Sequence, residues 1–390
     1  MNREDEIQKS ISLAESWLLN SGIQNTDKSK DVFGSFNAWY DTLANKFSFA
    51  YSEITGYGIN TLLFLNSINK NPIFIDRAKI AAEWIMDKSF EPSIGGILCR
   101  YEHDSKRYRK WICTFDNAMC LNSMINLYKT TGEKKYLDFS LKIAEWLLKM
   151  QKVDGCFFTR LLIDRNKLEE NGDKWSTQSG AFHAKMALGL LNLGKLLNDS
   201  QYINAAKELC DWSLKLQTEN GRFITDKNDN STFLHPCCYA NEGIIVAGIV
   251  LENKAYINSV KKCLEWIKVR RLETNGFPAY YIDDEFVHAE SPDINAQVIR
   301  LLMMLDSFDI VACDYNYMGQ CIENIMKYQS NSKDRRTRGG FFSGDAWFFR
   351  QTKNNAMKHA NSWVTMFALQ ALKMYVEKKN LSRDSIFYLV

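Results

Sequence analysis

Apolar residues recur along this chain at helical spacing, in two kinds of run that alternate. In the first kind one face is apolar and the other carries Lys, Glu and Asp. Over 140–149, for example, Leu141, Ile143, Ala144, Trp146, Leu147 and Leu148 are interleaved with Lys142, Glu145 and Lys149. Such runs predict amphipathic helices at roughly 4–20, 72–88, 135–150, 201–217, 255–268 and 315–329. The second kind is apolar nearly all round, as at Leu188, Leu190, Leu191 and Leu193 or at Ile244, Ile245, Val246 and Ala247. These runs predict helices buried on most sides at roughly 55–68, 117–130, 178–195, 236–250, 293–305 and 362–376. Small residues within or beside them (Gly58, Ala118, Gly180, Gly243 and Ala296) would let neighbouring backbones approach closely.

The alternation is periodic. The amphipathic runs carry Trp17, Trp84, Trp146, Trp212 and Trp266, and a sixth copy around 322–328 lacks its Trp. Four of them place an aromatic ten residues earlier, at Phe74, Tyr136, Tyr202 and Tyr256. A glycine follows each, at Gly34, Gly95, Gly155, Gly221, Gly276 and Gly340, and successive glycines lie 55 to 66 residues apart. A period of that length with two helices per copy indicates stacked helical hairpins, none of which can bury its apolar face alone. An open stack would leave both ends of the apolar inner layer exposed, and neither terminal copy has a polar capping face. The economical arrangement is an all-α (α/α)6 toroid spanning 1–390 as one domain, with no linker between copies. Five prolines in 390 residues suit a continuous helical framework.

The buried helices open with polar residues. Glu53, Tyr57 and Asn60 stand at i, i+4 and i+7, and the spacing recurs at Asp116, Cys120 and Ser123, at His235, Tyr239 and Glu242, and at Asp293, Gln297 and Arg300. Burying such groups unpaired costs a few kcal/mol each, so a core helix has no reason of its own to carry the stripe. In a closed barrel these first turns converge at one mouth and form a polar cavity. Helix capping is the competing account, with Ser291-Pro292-Asp293 a good cap sequence and Thr114 and Asp116 serving similarly. Gln178 and His183 belong to the third buried run and extend the set of candidate substrate contacts. Aromatics crowd the loops ahead of the buried helices: Tyr101, Trp111, Trp175, Tyr280, Tyr281, Trp347 and Trp363. Their ring faces suit the apolar faces of a sugar, and Arg100, Arg160 and Arg350 nearby could fork onto a sugar carboxylate.

Composition narrows the function classes. Hydrophobic residues make up 46% of the chain and aromatics 13%, enough for a large core and for rings beyond it. A formal charge of +3, with both signs dispersed, carries no nucleic-acid footprint, and the basic run at 333–338 reads as a solvated turn. The longest apolar run, 243–251, is too short to span a bilayer. No apolar h-region follows Met1, and ten cysteines without a metal-binding spacing fit a reducing compartment, so a cytoplasmic protein is expected. Asp283-Asp284-Glu285 reads as a surface turn, and no phosphate loop or dinucleotide fingerprint occurs, so neither metal nor cofactor is expected.

The hairpin repeat resembles the six-hairpin glycosidase superfamily over essentially the whole chain. Within it, Thr114-Phe115-Asp116-Asn117-Ala118-Met119-Cys120-Leu121-Asn122 resembles the helix start of unsaturated glucuronyl hydrolases, where an Asp followed by Met and Asn is the catalytic acid/base. Glu53-Ile54-Thr55-Gly56-Tyr57-Gly58 falls where those enzymes carry a second essential acid, here Glu in place of Asp. Asn117 and Cys120 depart from that pattern. The same Glu53 start, together with Leu234-His235-Pro236-Cys237-Cys238-Tyr239-Ala240-Asn241-Glu242-Gly243, is similar to proteins of bacterial surface-polysaccharide systems described as lyase-like or hydrolase-like.

The resemblance implies a carbohydrate substrate and leaves three chemistries open. A hydrolase of uronic-acid-containing saccharides would use Asp116 as general acid/base, with Glu53 tuning it or placing water. A lyase or sugar epimerase would abstract a proton with Tyr239 or His235; epimerases on this barrel typically use a His pair, for which His183 and His235 qualify. A toroid that binds a saccharide or a protein partner without reaction is the third. Asp116, Glu53, His235 and Tyr239 are the expected centre, with Tyr57, Gln178, His183, Glu242, Asp293, Gln297, Trp175 and Trp363 as substrate contacts.

Overall fold

A computed structural model describes residues 2–282, 285–344, 358–378 and 381–390. Twelve α-helices among them alternate between two rings. The outer ring is α1 (Arg3–Asn20), α3 (Pro72–Trp84), α5 (Lys134–Met150), α7 (Ser200–Leu214), α9 (Lys254–Lys268) and α11 (Tyr315–Met326). The inner ring is α2 (Ser52–Asn69), α4 (Thr114–Thr131), α6 (Ala187–Leu197), α8 (Leu234–Val250), α10 (Pro292–Ser307) and α12 (Ser362–Glu377). Inner helices pack on each other in sequence and α12 packs back on α2, so the ring closes as an (α/α)6 toroid. The apolar-all-round runs are the inner helices because only there is every face covered: all sixteen residues from Leu234 to Ile249 of α8 are buried. Gly243 permits this density, since a Cβ there would run into the carbonyl of Ala184.

One inner element departs from expectation. The run expected to start a helix at 178 instead passes through an extended segment and a 3-10 turn, Ala181–Met186, before α6 begins at Ala187. Gln178 is therefore a loop residue.

The repeating glycine has a physical cause. Gly34, Gly95, Gly155 and Gly221 hold φ between +85° and +102°, which L side chains rarely adopt. A Cβ on Gly155 would also stand 2.6 Å from the carbonyl of Glu208, and one on Gly221 2.7 Å from that of Lys262, both in the outer helix of the next copy. In the sixth copy Gly339, not Gly340, takes the positive φ and lies against Leu13 of α1. A glutamine after the outer helix reinforces four of the six joints. Gln24 Nε2 donates to Arg77 O (2.9 Å), Gln151 to Ala205 O (2.9 Å), Gln217 to Ser259 O (3.0 Å) and Gln329 to Ser10 O (2.9 Å). The last of these stitches the sixth copy to the first. Strand pairing does so again, Trp39–Asp41 against His359–Asn361.

At the C-terminal ends of the inner helices the barrel has a floor. The turn Ser385–Tyr388 enters the ring, and Phe387 O accepts from the side-chain amides of Asn122 and Asn126, both at 2.7 Å. Tyr388 O accepts from Gln370 Nε2 (2.7 Å) and Val390 O from Arg300 (2.6 Å). Asn60 and Asn192 complete the amide layer through Asn126 and Asn122. Among the described residues no helix is long and apolar enough to cross a membrane.

Candidate active site

The opposite end is open. Helices α2, α4, α8 and α10 begin there directly after short strands or loops, and none of the four is capped by the side chain of its N-cap residue. Ser291, the cap expected from the sequence, makes no capping hydrogen bond. Ser291 hydrogen-bonds Asp293 and the Ser343 carbonyl, and Thr114 Oγ1 bonds the Phe158 and Thr159 carbonyls. Instead the first turns surround a cavity of about 620 Å³, a usual size for a small-molecule site. Glu53, Asp116, His235 and Tyr239 line it, with Trp175 and Trp363. Trp111, Arg100 and Arg160 reach it from the strand-bearing loops, and residues 172–177 form a further wall.

Electrostatics separate the two carboxylates. Asp116 is 3% exposed and its Oδ2 has no hydrogen-bond partner. Burial, then the Cys99 thiol and the Glu53 carboxylate, hold its acid group well above the usual carboxylate range, so it keeps a proton. Burial also raises Glu53, but hydrogen bonding from Tyr51 and the neighbouring His235 and Lys185 side chains oppose the rise. Asp116 is thus the stronger proton holder and Glu53 the better anion. His235 Nδ1 lies 2.7 Å from Asp293 Oδ2, and its ring stands edge-on to Tyr239 with centroids 4.4 Å apart.

One layer deeper the stripes satisfy one another. Tyr57 Oη and Tyr239 Oη are 3.2 Å apart. Glu242 is clamped between Lys185 (2.7 Å) and Arg300 (2.5 Å), all three fully buried. The Lys185 ammonium sits 4.1 Å from the Tyr239 ring centroid. Burial pulls Lys185 down to about 8, against the pull of Glu242.

Six expected substrate contacts do not line the cavity. Tyr57, Glu242 and Asp293 back the residues that do, and Gln297 Nε2 reaches the His235 carbonyl at 3.4 Å. Gln178 spends its amide on Asp226 (2.8 Å) and the Lys227 N–H (2.9 Å), tying two loops together. His183 is fully buried beside Phe182, neither ring nitrogen has a partner, and burial followed by the Lys227 charge holds it down at about 3. It does not face the space that His235 faces. Trp347, Arg350, Asp283 and Asp284 lie outside the described residues.

Several cavity residues gave little sequence signal: Tyr51, Cys99, Cys113, Phe115, Thr159 and Glu169. Cys99 and Cys113 are fourteen residues apart in the strand-bearing loop, yet their sulfurs and an Asp116 oxygen fall within 4.8 Å of one another. Lys185 could have been found, as a lone charge inside the apolar stretch from Ala181 to Leu193.

No family model matches the chain. An uncharacterized protein of Caenorhabditis elegans is 28% identical over 129 residues, 32% of this chain; the chain's match spans only 17% of that relative's length. Solved structures match far more of it. The cellobiose 2-epimerase of Bacillus thermoamylovorans B4167 superposes with a TM-score of 0.77 at 10% identity, covering 95% of this chain and 98% of its own. A D-mannose isomerase gives 0.73 at 11% identity (95% and 97%), and an unsaturated glucuronyl hydrolase specific for heparin gives 0.72 at 15% (97% and 99%). Identities this low establish architecture and nothing finer. The resemblance to the six-hairpin glycosidase-like superfamily therefore holds at the level of the fold, which this chain shares along nearly its whole length.

Proposed function

We propose that this protein is a carbohydrate-active enzyme, a glycoside hydrolase acting on a uronic-acid-containing saccharide. The observation that carries the reading is the pair of carboxylates on adjacent inner helices, Asp116 and Glu53, facing one cavity, with burial raising both and Asp116 well above the usual carboxylate range. Asp116 gives its proton to the bond being cleaved or hydrated, and Glu53 orients the attacking water and takes up its proton. Trp111, Trp175 and Trp363 offer ring faces to the sugar. Arg100 and Arg160 stand at the rim, where a uronate carboxylate would approach, and the fold neighbours that process sugars support the substrate class.

Epimerase or lyase chemistry is the second reading, favoured by the His235–Asp293 contact beside Tyr239. Among the described residues His183, the second histidine of the expected pair, does not line the cavity. A panel of saturated and unsaturated uronate oligosaccharides, read by reducing-end release and by ultraviolet absorbance of the unsaturated ring, tests the proposal. Wild type should consume the absorbing band or release reducing ends, and Asp116→Asn should lower turnover by about 10²–10⁴-fold with the fold intact. Full activity in Asp116→Asn removes the assignment. Gain of the absorbing band by wild type makes the protein a lyase and moves the chemistry to His235 and Tyr239.

A further inference from the structure

Beside the acid pair lie two thiols that hydrolysis does not use. Cys99 follows the strand Gly96–Ile97 and donates its backbone N–H to Trp111 O at 2.9 Å, which brings it alongside Cys113 at the end of the strand Trp111–Cys113. Asp116 follows three residues later in the first turn of α4. The two sulfurs and a carboxylate oxygen lie within 4.8 Å of one another on the cavity wall. Ligands of a tetrahedral zinc ion with bonds of about 2.0–2.3 Å stand roughly 3.3–3.8 Å apart, so rotations of side chains suffice to close the set. A further observation points to a cation: Asp116 Oδ2 is buried with no hydrogen-bond partner.

We infer that Cys99, Cys113 and Asp116 form a binding site for a soft divalent cation of the zinc type, with its fourth position open to the cavity. Two thiolates and one carboxylate select such an ion over magnesium or calcium, and three protein ligands with one open position make a site that exchanges ligands. Binding releases the protons of both thiols and of the carboxyl group to solvent. The ion then occupies the carboxylate that the proposed hydrolase needs as its acid, so cation binding inhibits; this clause alone rests on the hydrolase reading.

Cobalt(II) is the probe, because thiolate ligation gives near-ultraviolet charge-transfer bands and tetrahedral geometry gives intense visible bands. Titration of the metal-free protein should reach saturation at one equivalent with both features. The double variant Cys99→Ser/Cys113→Ser, checked for native circular dichroism, should lose the charge-transfer bands. Cys237→Ser should keep them, since Cys237 pairs with Cys263 at 3.6 Å away from the cavity. No thiolate band in wild type, or an unchanged band in the double variant, overturns the site. A cobalt spectrum as expected from a protein inert on every uronate leaves the site standing and removes the hydrolase; turnover without a cobalt spectrum does the reverse.

Discussion

Replacing His183 by Leu should stabilise this protein, and by more at acid pH than at neutral pH. The ring is fully buried, both nitrogens lack partners, and burial holds it down at about 3. In the unfolded chain an imidazole titrates near 6.5. Between those values the unfolded chain binds the proton and the folded chain does not. The group's contribution is therefore intact above the unfolded value and is lost as pH falls through the window from about 6.5 toward 3. Over the step from about pH 7.5 to about pH 5 the loss is about 2 kcal/mol. Leucine removes this proton linkage and the cost of two unpaired polar atoms, about 1–3 kcal/mol at neutral pH. Urea denaturation of both proteins at the two pH values measures it. The variant's advantage should widen by about 2 kcal/mol on acidification. A gap that stays constant or closes refutes the picture of a neutral, unpartnered imidazole. The same variant bears on chemistry: turnover lost from a well-folded His183→Leu would restore the His pair and with it the epimerase reading.

Other perturbations probe the frame. Arg300→Met leaves Glu242 with Lys185 alone and strips the contacts to Gln370 and Val390, so denaturation should show a loss of about 3–5 kcal/mol. Gly155→Ala combines a φ of +92° with an approach to the Glu208 carbonyl, whereas Gly132→Ala meets a φ of +73° and open space. The first should cost about 1–3 kcal/mol and the second about 1, compared by urea midpoints; equal losses would mean that the joint between copies is not tight.

The rings were legible because each has a periodicity that water enforces. An outer helix must show one apolar stripe and an inner helix must be apolar all round, and both patterns survive in single residues such as the exposed Lys142 or the buried Leu190. The acid pair was legible for the same reason, since Glu53 and Asp116 break a pattern that apolar packing would otherwise keep. Depth was not legible. Glu53 and Glu242 both look like polar breaks, but only the three-dimensional ring sets one in the cavity and the other in an ion triad with Lys185 and Arg300. Gln178 and His183 were placed by a helical period that a 3-10 turn interrupts. Cys99 and Cys113 are brought together by a backbone hydrogen bond from Cys99 to Trp111, a contact with no local trace in composition.

The floor made by 385–390 turns the ring into a blind pocket. Among the described residues, Phe387, Tyr388 and Val390 are tied across the inner helices at the end away from the mouth and block the barrel axis there. Whatever enters past Trp175 and Trp363 leaves by the same door. For the hydrolase proposed above, a polymeric substrate would present only its end, and each visit would act on terminal residues.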